Sequence, residues 1–410
     1  MGDTGILRAR EPGTKDPEFP LRPIGRFTMW VRVSLVWLVI VTRGILTASA
    51  RPDVAVITPD QLLAGAPLAV EENSVAIVDD KEVLAVNAEM RDFLVSHVSS
   101  RVSDYIKLHE LLHAIINEGT FGLEYDETTR TATETFVLRQ GNCLSFSNMF
   151  VAMAREVGLD VEYQEVDIPP DWTYRNDAFV LNRHVNVLVD LGTAGHHAVD
   201  FNIDDFRTSY DRRTISDKRA LAHYYNNMGV ERMQVGDTTS ALLYFRRAIA
   251  DNDRRFSPAW ANLGILYLRA DQPAYAEAAF LEAVKANPEN FVAMSNLVSL
   301  YEQQGDQERA EVFRKKVIRH RNQNPYYRYQ LARDAFFAQN YDAAINHLKF
   351  AIRKREQEDQ FYFMLGLAYL QKGNEAAARR WLTRAEEIAA TDVLKRNYSN
   401  KIDMLLSAAD

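Results

Sequence analysis

Apolar residues recur at helical spacing over three stretches in the first half of the chain. These stretches run from Asp104 to Glu118, from Thr128 to Leu138 and from Cys143 to Val157, and Gly158 stands where a helix cap is expected. Beyond Gly158 the apolar residues alternate or cluster, which predicts strands over 161–166, 184–189 and 197–201. Helices followed by strands within 90–205 predict an α+β domain with an antiparallel sheet.

The second half of the chain repeats itself with a period of about 34 residues. Two columns of mostly small residues share this period, one twelve residues after the other: Gly229, Gly264, Val298, Ala332 and Gly366, in which Val298 and Ala332 replace glycine, then Ala241, Ala276, Ala310, Ala344 and Ala378. Small residues at this offset predict two antiparallel helices whose backbones come close. The pattern resembles the tetratricopeptide repeat, and the copy from Trp260 to Pro288 matches it most fully.

This resemblance implies an all-α solenoid of about five repeats over 222–391, closed by a polar capping helix near 393–406. Asn227, Asn262 and Asn296 share one register, which in this repeat family lines the inner groove. We expect the groove to bind a protein or peptide, with these amides holding its backbone. The alternative is that asparagine is simply common in that register.

Length and composition limit the remaining classes of function. A chain of 410 residues has room for two or three domains. The net charge of −8 and the lack of a basic stripe argue against nucleic-acid binding. A single cysteine excludes an intramolecular disulfide, and no Cys-x-x-Cys pair indicates structural zinc. We expect no cofactor.

The N-terminus has the parts of an export signal. Residues 1–26 are rich in Pro, Gly, Arg and Glu, and an uncharged run over Val33–Thr42 is followed by Ala48-Ser49-Ala50. This order predicts a signal peptide cleaved after Ala50, and therefore an exported, periplasmic protein. The alternatives are a membrane anchor over residues 29–50 facing the periplasm, and a cytoplasmic protein with an apolar tail.

The chain as a whole is therefore predicted to have three parts: a leader over 1–50, an α+β domain over 51–210 and a repeat domain over 218–410.

Cys143, His184 and Asp200 are the candidate catalytic residues. Cys143 follows the polar turn Arg139–Asn142 and opens a predicted helix, whose N-terminus favours negative charge on the sulfur. The unpaired backbone N–H of the first helical turn can help to stabilise an oxyanion. His184 and Asp200 follow in predicted strands, and the alternation of Val185, Val187 and Val189 turns His184 toward the other face, which we expect to be the face nearest the Cys143 helix.

The turn before Cys143, the strand histidine and the later aspartate resemble the transglutaminase-like cysteine enzymes over residues 90–205. The resemblance implies a transglutaminase-like (papain-like) fold. It also implies that Cys143 is the nucleophile, His184 the general base and acid, and Asp200 the group that orients the imidazole. Family members often carry an aromatic residue where this chain has Asn186 and proline where it has Phe201. The implied activity is hydrolysis or acyl transfer at peptide or amide bonds.

Two other functions fit parts of the sequence. The α+β domain could keep its fold without activity, which would make the whole chain a protein-binding scaffold.

The second alternative is a zinc peptidase, because the chain contains the HExxH pattern at His109-Glu110-Leu111-Leu112-His113. In such peptidases, two histidines one helical turn apart hold the metal and glutamate polarises water. Lys107 places a charge where such helices are usually uncharged, so we favour an amphipathic surface there and expect no metal.

Overall fold

A computed structural model describes residues 57–70, 75–116, 121–167, 172–175, 178–181, 184–201, 211–389 and 392–407. The predicted leader over 1–50, with its signal peptide or membrane anchor, lies outside these residues. The chain divides into two units, 1–55 and 56–410, and every described residue belongs to the second. No helix within the described ranges is long and apolar enough to span a bilayer.

Short helices and strands occupy the described residues before 216. They are α1 (Pro59–Ala64), α2 (Asp80–Val83), α3 (Ala88–His97), α4 (Asp104–Ile116), β1 (Glu124–Tyr125), α5 (Ala132–Leu138), β2 (Gln140–Gly141), α6 (Cys143–Glu156), β3 (Asp160–Val166), β4 (Trp172–Arg175), β5 (Ala178–Leu181), β6 (His184–Asp190), β7 (His196–Val199) and β8 (Arg212–Ile215).

An antiparallel sheet with strand order β7-β6-β3-β8 forms the centre of this region. Its register pairs Tyr163 with Val187, and Val166 with His184. Strand β8 lies in the interval between the two predicted domains and forms one edge of the sheet. In separate pairs, β4 runs antiparallel to β5, and β1 runs parallel to β2.

Helix α6 packs on the valine face of the sheet. Tyr163, whose register partner is Val187, donates a hydrogen bond of 2.9 Å to Asn148 of α6, and both side chains are buried. The expectation that α6 lies on the opposite face, with His184, is wrong, because a buried apolar helix needs the apolar face of the sheet. His184 nevertheless meets the N-terminus of α6, since it is the first residue of β6.

The repeat region consists of helices in antiparallel pairs, followed by a last helix. They are α7 (Asp217–Gln234) with α8 (Thr238–Arg246), α9 (Ser257–Arg269) with α10 (Pro273–Ala286), α11 (Phe291–Gln303) with α12 (Gln307–Gln323), α13 (Pro325–Phe337) with α14 (Tyr341–Lys354), α15 (Asp359–Gln371) with α16 (Glu375–Ile388), and α17 (Asp392–Ser407).

The two columns of small residues lie where paired helices touch. A Cβ atom added to Gly264 would come within 2.6 Å of the Phe280 ring, and one added to Gly366 within 2.5 Å of the Leu382 side chain. The alanines of the second column are all fully buried: Ala241, Ala276, Ala310, Ala344 and Ala378. The predicted close approach of the helices is therefore present.

The apolar core does not break at the predicted boundary near residue 210. One cluster of buried side chains includes Phe150 of α6 and Trp260 of α9, and it continues to Ala310. A second cluster, around Leu348 and Leu365, belongs to the later repeats. The segment before α3 also packs on the repeats, because Tyr225 donates to Asp80 at 2.7 Å.

Candidate active site

Cys143 is the first residue of α6 and is partly buried. The side chain of Asn142 caps this helix by accepting a hydrogen bond of 3.0 Å from the Ser145 N–H. Gly141 is required before the cap, because a Cβ atom there would lie 2.6 Å from that of Ser145. Arg139 has a φ of 55°, which turns the chain out of α5 and toward the cap.

His184 joins the other two candidates. Its Nε2 lies 2.8 Å from Oδ1 and 2.9 Å from Oδ2 of Asp200, and both side chains are buried. Cys143 lies close enough to the ring to raise the pKa of His184. Because Asp200 engages Nε2, Nδ1 is the ring nitrogen available to the sulfur. The structure thus brings all three residues together.

Asn186 gives Asp200 a further hydrogen bond. Its Nδ2 donates a hydrogen bond of 2.9 Å to Oδ2 of Asp200, and the residue is fully buried. In the sequence, Asn186 stood out only as a departure from the family pattern. Its part in fixing Asp200 was missed, because the contact spans neighbouring strands and needs the register of β6 against β7.

The electrostatics favour a charged imidazole. Burial opposes protonation of His184, but its interactions with Asp200 and Cys143 outweigh burial and raise the pKa of His184 to about 10. At neutral pH this histidine is therefore protonated. A protonated ring is the partner that stabilises negative charge on a neighbouring sulfur.

Tyr125 is a further neighbour of the nucleophile that sequence reasoning missed. Its strand β1 pairs with β2, which places Tyr125 opposite Gly141. Partial burial, followed by the charge of Cys143, raises the pKa of the Tyr125 hydroxyl. In the same strand pair, the side chain of Gln140 donates a hydrogen bond of 3.1 Å to Glu124.

Residues of the HExxH pattern on α4 contact neighbouring residues of the chain. Glu110 accepts hydrogen bonds from the backbone N–H of Ser99 at 2.7 Å and from its hydroxyl at 3.1 Å, and the ring of His109 packs on Tyr105. Within the described residues, no group of three or more His, Cys, Asp or Glu side chains is arranged to hold a metal ion.

The three asparagines of the repeats do not share one environment. Asn262 is buried and donates to Asn226 at 2.8 Å, while Asn296 is buried and donates to the Val292 carbonyl at 3.1 Å. Asn227 is half-buried. Contacts within the chain therefore already use the amides of Asn262 and Asn296, and the groove role stays a prediction.

Models of known protein families match both regions. The model of the transglutaminase-like superfamily matches residues 94–205, and that of the tetratricopeptide repeat matches 262–315 and 329–393. The chain carries a transglutaminase-like domain followed by tetratricopeptide repeats. This confirms the predicted order of the two folds, α+β first and all-α second.

Individual relatives are more distant. Anaphase-promoting complex subunit 3 of Schizosaccharomyces pombe (strain 972 / ATCC 24843) is 26% identical over 158 residues, which are 38% of this chain and 24% of that protein. The chain thus spans about a quarter of the length of this curated relative.

Among solved structures, the MamA protein is similar at 20% identity, over 41% of this chain and 91% of its own, with a TM-score of 0.23. YrrB, described as a tetratricopeptide-repeat protein with an unusual peptide-binding site, is similar at 18% identity, over 44% of this chain and 92% of its own, with a TM-score of 0.23. Scores this low support no argument about this chain.

Proposed function

We propose that the transglutaminase-like domain is a cysteine hydrolase or acyltransferase that acts on peptide or amide bonds. The observation that carries the proposal is that the buried His184, held by Asp200 at 2.8 Å, interacts with Cys143 at the N-terminus of α6. A lone cysteine placed at a helix N-terminus beside a protonated histidine has the charge pattern of an activated nucleophile.

In the proposed reaction, the Cys143 sulfur attacks the carbonyl carbon of the substrate, and the C–N bond breaks as His184 gives its proton to the leaving amine. This leaves a thioester on Cys143. His184 then takes a proton from water, the resulting hydroxide attacks the thioester, and the acid leaves with the sulfur regenerated. An amine in place of water would give acyl transfer. The Cys143 N–H, which has no acceptor within its helix, supports the oxyanion.

The repeats supply the second part of the proposal. Tetratricopeptide repeats support a protein or peptide partner, and we propose that this partner is presented to the cysteine domain. Export to the periplasm, by a cleaved signal or an anchor within residues 29–50, belongs to the same proposal and rests on the sequence of the leader.

Alkylation of the full chain with iodoacetamide tests the catalytic part. We expect Cys143 to be alkylated faster than the thiol of free cysteine between pH 6 and 8, because the charged His184 ring lies beside the sulfur. The raised pKa of His184 keeps its ring charged throughout this pH range, so the sulfur keeps a positive counter-ion.

His184→Ala removes this counter-ion and should slow alkylation at pH 6 by at least about tenfold. His197→Ala is the matched control, since His197 is an exposed histidine on the neighbouring strand β7. Alkylation at the rate of free cysteine, unchanged in His184→Ala, would contradict the enzyme and favour a protein-binding scaffold.

A further inference from the structure

The turn that carries Cys143 is bound to a residue of the repeat region. Glu231 lies in α7, outside the residues matched by the transglutaminase-like model. Its Oε1 accepts a hydrogen bond of 2.8 Å from the backbone N–H of Thr129. Thr129 is only 4% exposed, so water competes little for this bond.

The backbone bond to Glu231 sets where the Thr129 hydroxyl lies. The Asn142 Nδ2 donates a hydrogen bond of 2.8 Å to this hydroxyl, because an amide NH₂ group can only donate. With its NH₂ group engaged, Asn142 turns its Oδ1 toward the first turn of α6.

That Oδ1 is the helix cap beside Cys143. It accepts from the Ser145 N–H at 3.0 Å and lies 3.0 Å from the Ser145 hydroxyl. The Asn142 backbone is tied to the same segment, because its N–H donates to the Thr128 carbonyl at 3.3 Å. Backbone and side chain of the residue preceding Cys143 are therefore both held by residues 128–129, which Glu231 holds in turn.

We propose that Glu231 is a positioning residue that the repeat region contributes to the Cys143 site, acting through Thr129 and Asn142. This inference rests on the proposed function. It names a route by which the repeat region influences the Cys143 site. Any displacement of α7 by a bound partner would loosen the cap of α6 and shift the sulfur relative to His184.

Four variants of the full chain test this relay, with the iodoacetamide rate at Cys143 and the unfolding midpoint as readouts. Glu231→Ala removes the acceptor, and Thr129→Val keeps the backbone bond to Glu231 but removes the hydroxyl that Asn142 needs. Each should slow alkylation by about tenfold, the scale of one lost hydrogen bond. Glu231→Gln and Thr129→Ser keep the acceptor and the hydroxyl, and should stay within about twofold of the wild type.

Glu302→Ala is the matched control. Glu302 lies on α11 and pairs with Arg314, so its removal should leave the alkylation rate at Cys143 unchanged. If Glu231→Ala is too unstable to fold, Thr129→Val against Thr129→Ser decides the question. Wild-type rates in folded Glu231→Ala and Thr129→Val, with His184→Ala still slow, would overturn the positioning role and leave the enzyme proposal standing. Wild-type rates in His184→Ala as well would mean that the enzyme proposal itself has failed.

Discussion

The cysteine domain and the repeat region bury their interiors by different means. Around Cys143 and strand β3, buried polar and charged groups satisfy one another, as in the contacts of Glu165 with Arg219 and His223. In the repeats, small residues let helix backbones approach, as at Gly264 against Phe280. Polar contacts depend on direction and exact partners, whereas close packing depends mainly on volume. The first region should therefore be the more sensitive to the loss of a single group.

The buried carboxylate of Glu165 gives the largest expected effect. It is 1% exposed and receives Nε of Arg219 at 2.5 Å, Nε2 of His223 at 2.7 Å and Nε of Arg213 at 2.6 Å. Burial raises the pKa of Glu165, but its partners outweigh burial and hold the pKa well below its ordinary value. Glu165→Ala would remove the buried acceptor that Arg213, Arg219 and His223 share, so we expect a loss of about 3–5 kcal/mol in the free energy of unfolding, measured by urea titration. A loss below about 1 kcal/mol would show that other acceptors, such as Asp253 beside Arg219, replace it.

An overpacked repeat should be affected less. Gly264→Ala places a methyl group against the Phe280 ring, and we expect it to lower the free energy of unfolding by about 1–3 kcal/mol. The matched background is Phe280→Ala, which removes the ring that the added methyl group would meet, whereas leucine would not, since Leu382 lies as close to Gly366. In that background Gly264→Ala should have a smaller effect. An equal effect in both backgrounds would mean that the ring contact is not its cause.

The smallest effect is expected at an exposed ion pair that joins the same two regions. Arg155 of α6 makes two bonds to Asp217 of α7, at 2.7 and 2.8 Å, with side chains 37% and 49% exposed. Solvent screens such a pair, so Asp217→Ala should cost below about 1 kcal/mol, less still in high salt. A loss as large as that of Glu165→Ala would remove the contrast between buried and exposed charges.

Local patterns in the sequence predicted most of the elements. The helical spacing over 104–118 corresponds to α4, and the run from Cys143 corresponds to α6, which ends at Glu156. Strand β8 was missed because its four residues carry charged and polar side chains at an edge of the sheet, and they show no apolar alternation. The triad candidates were found because their order along the chain resembles a known family.

Sequence alone determined the longer helices and the strands with apolar alternation, the repeat register and the three candidate catalytic residues, because these depend on neighbours within a few residues, on one repeat or on a family pattern. Tertiary structure decided which groups support them: Asn186 behind Asp200, and Glu231 behind Thr129. The latter contact joins positions 102 residues apart, and neither periodicity nor composition carries information about such a pair. The distances and directions of hydrogen bonds exist only once the sheet, α6 and α7 have packed together.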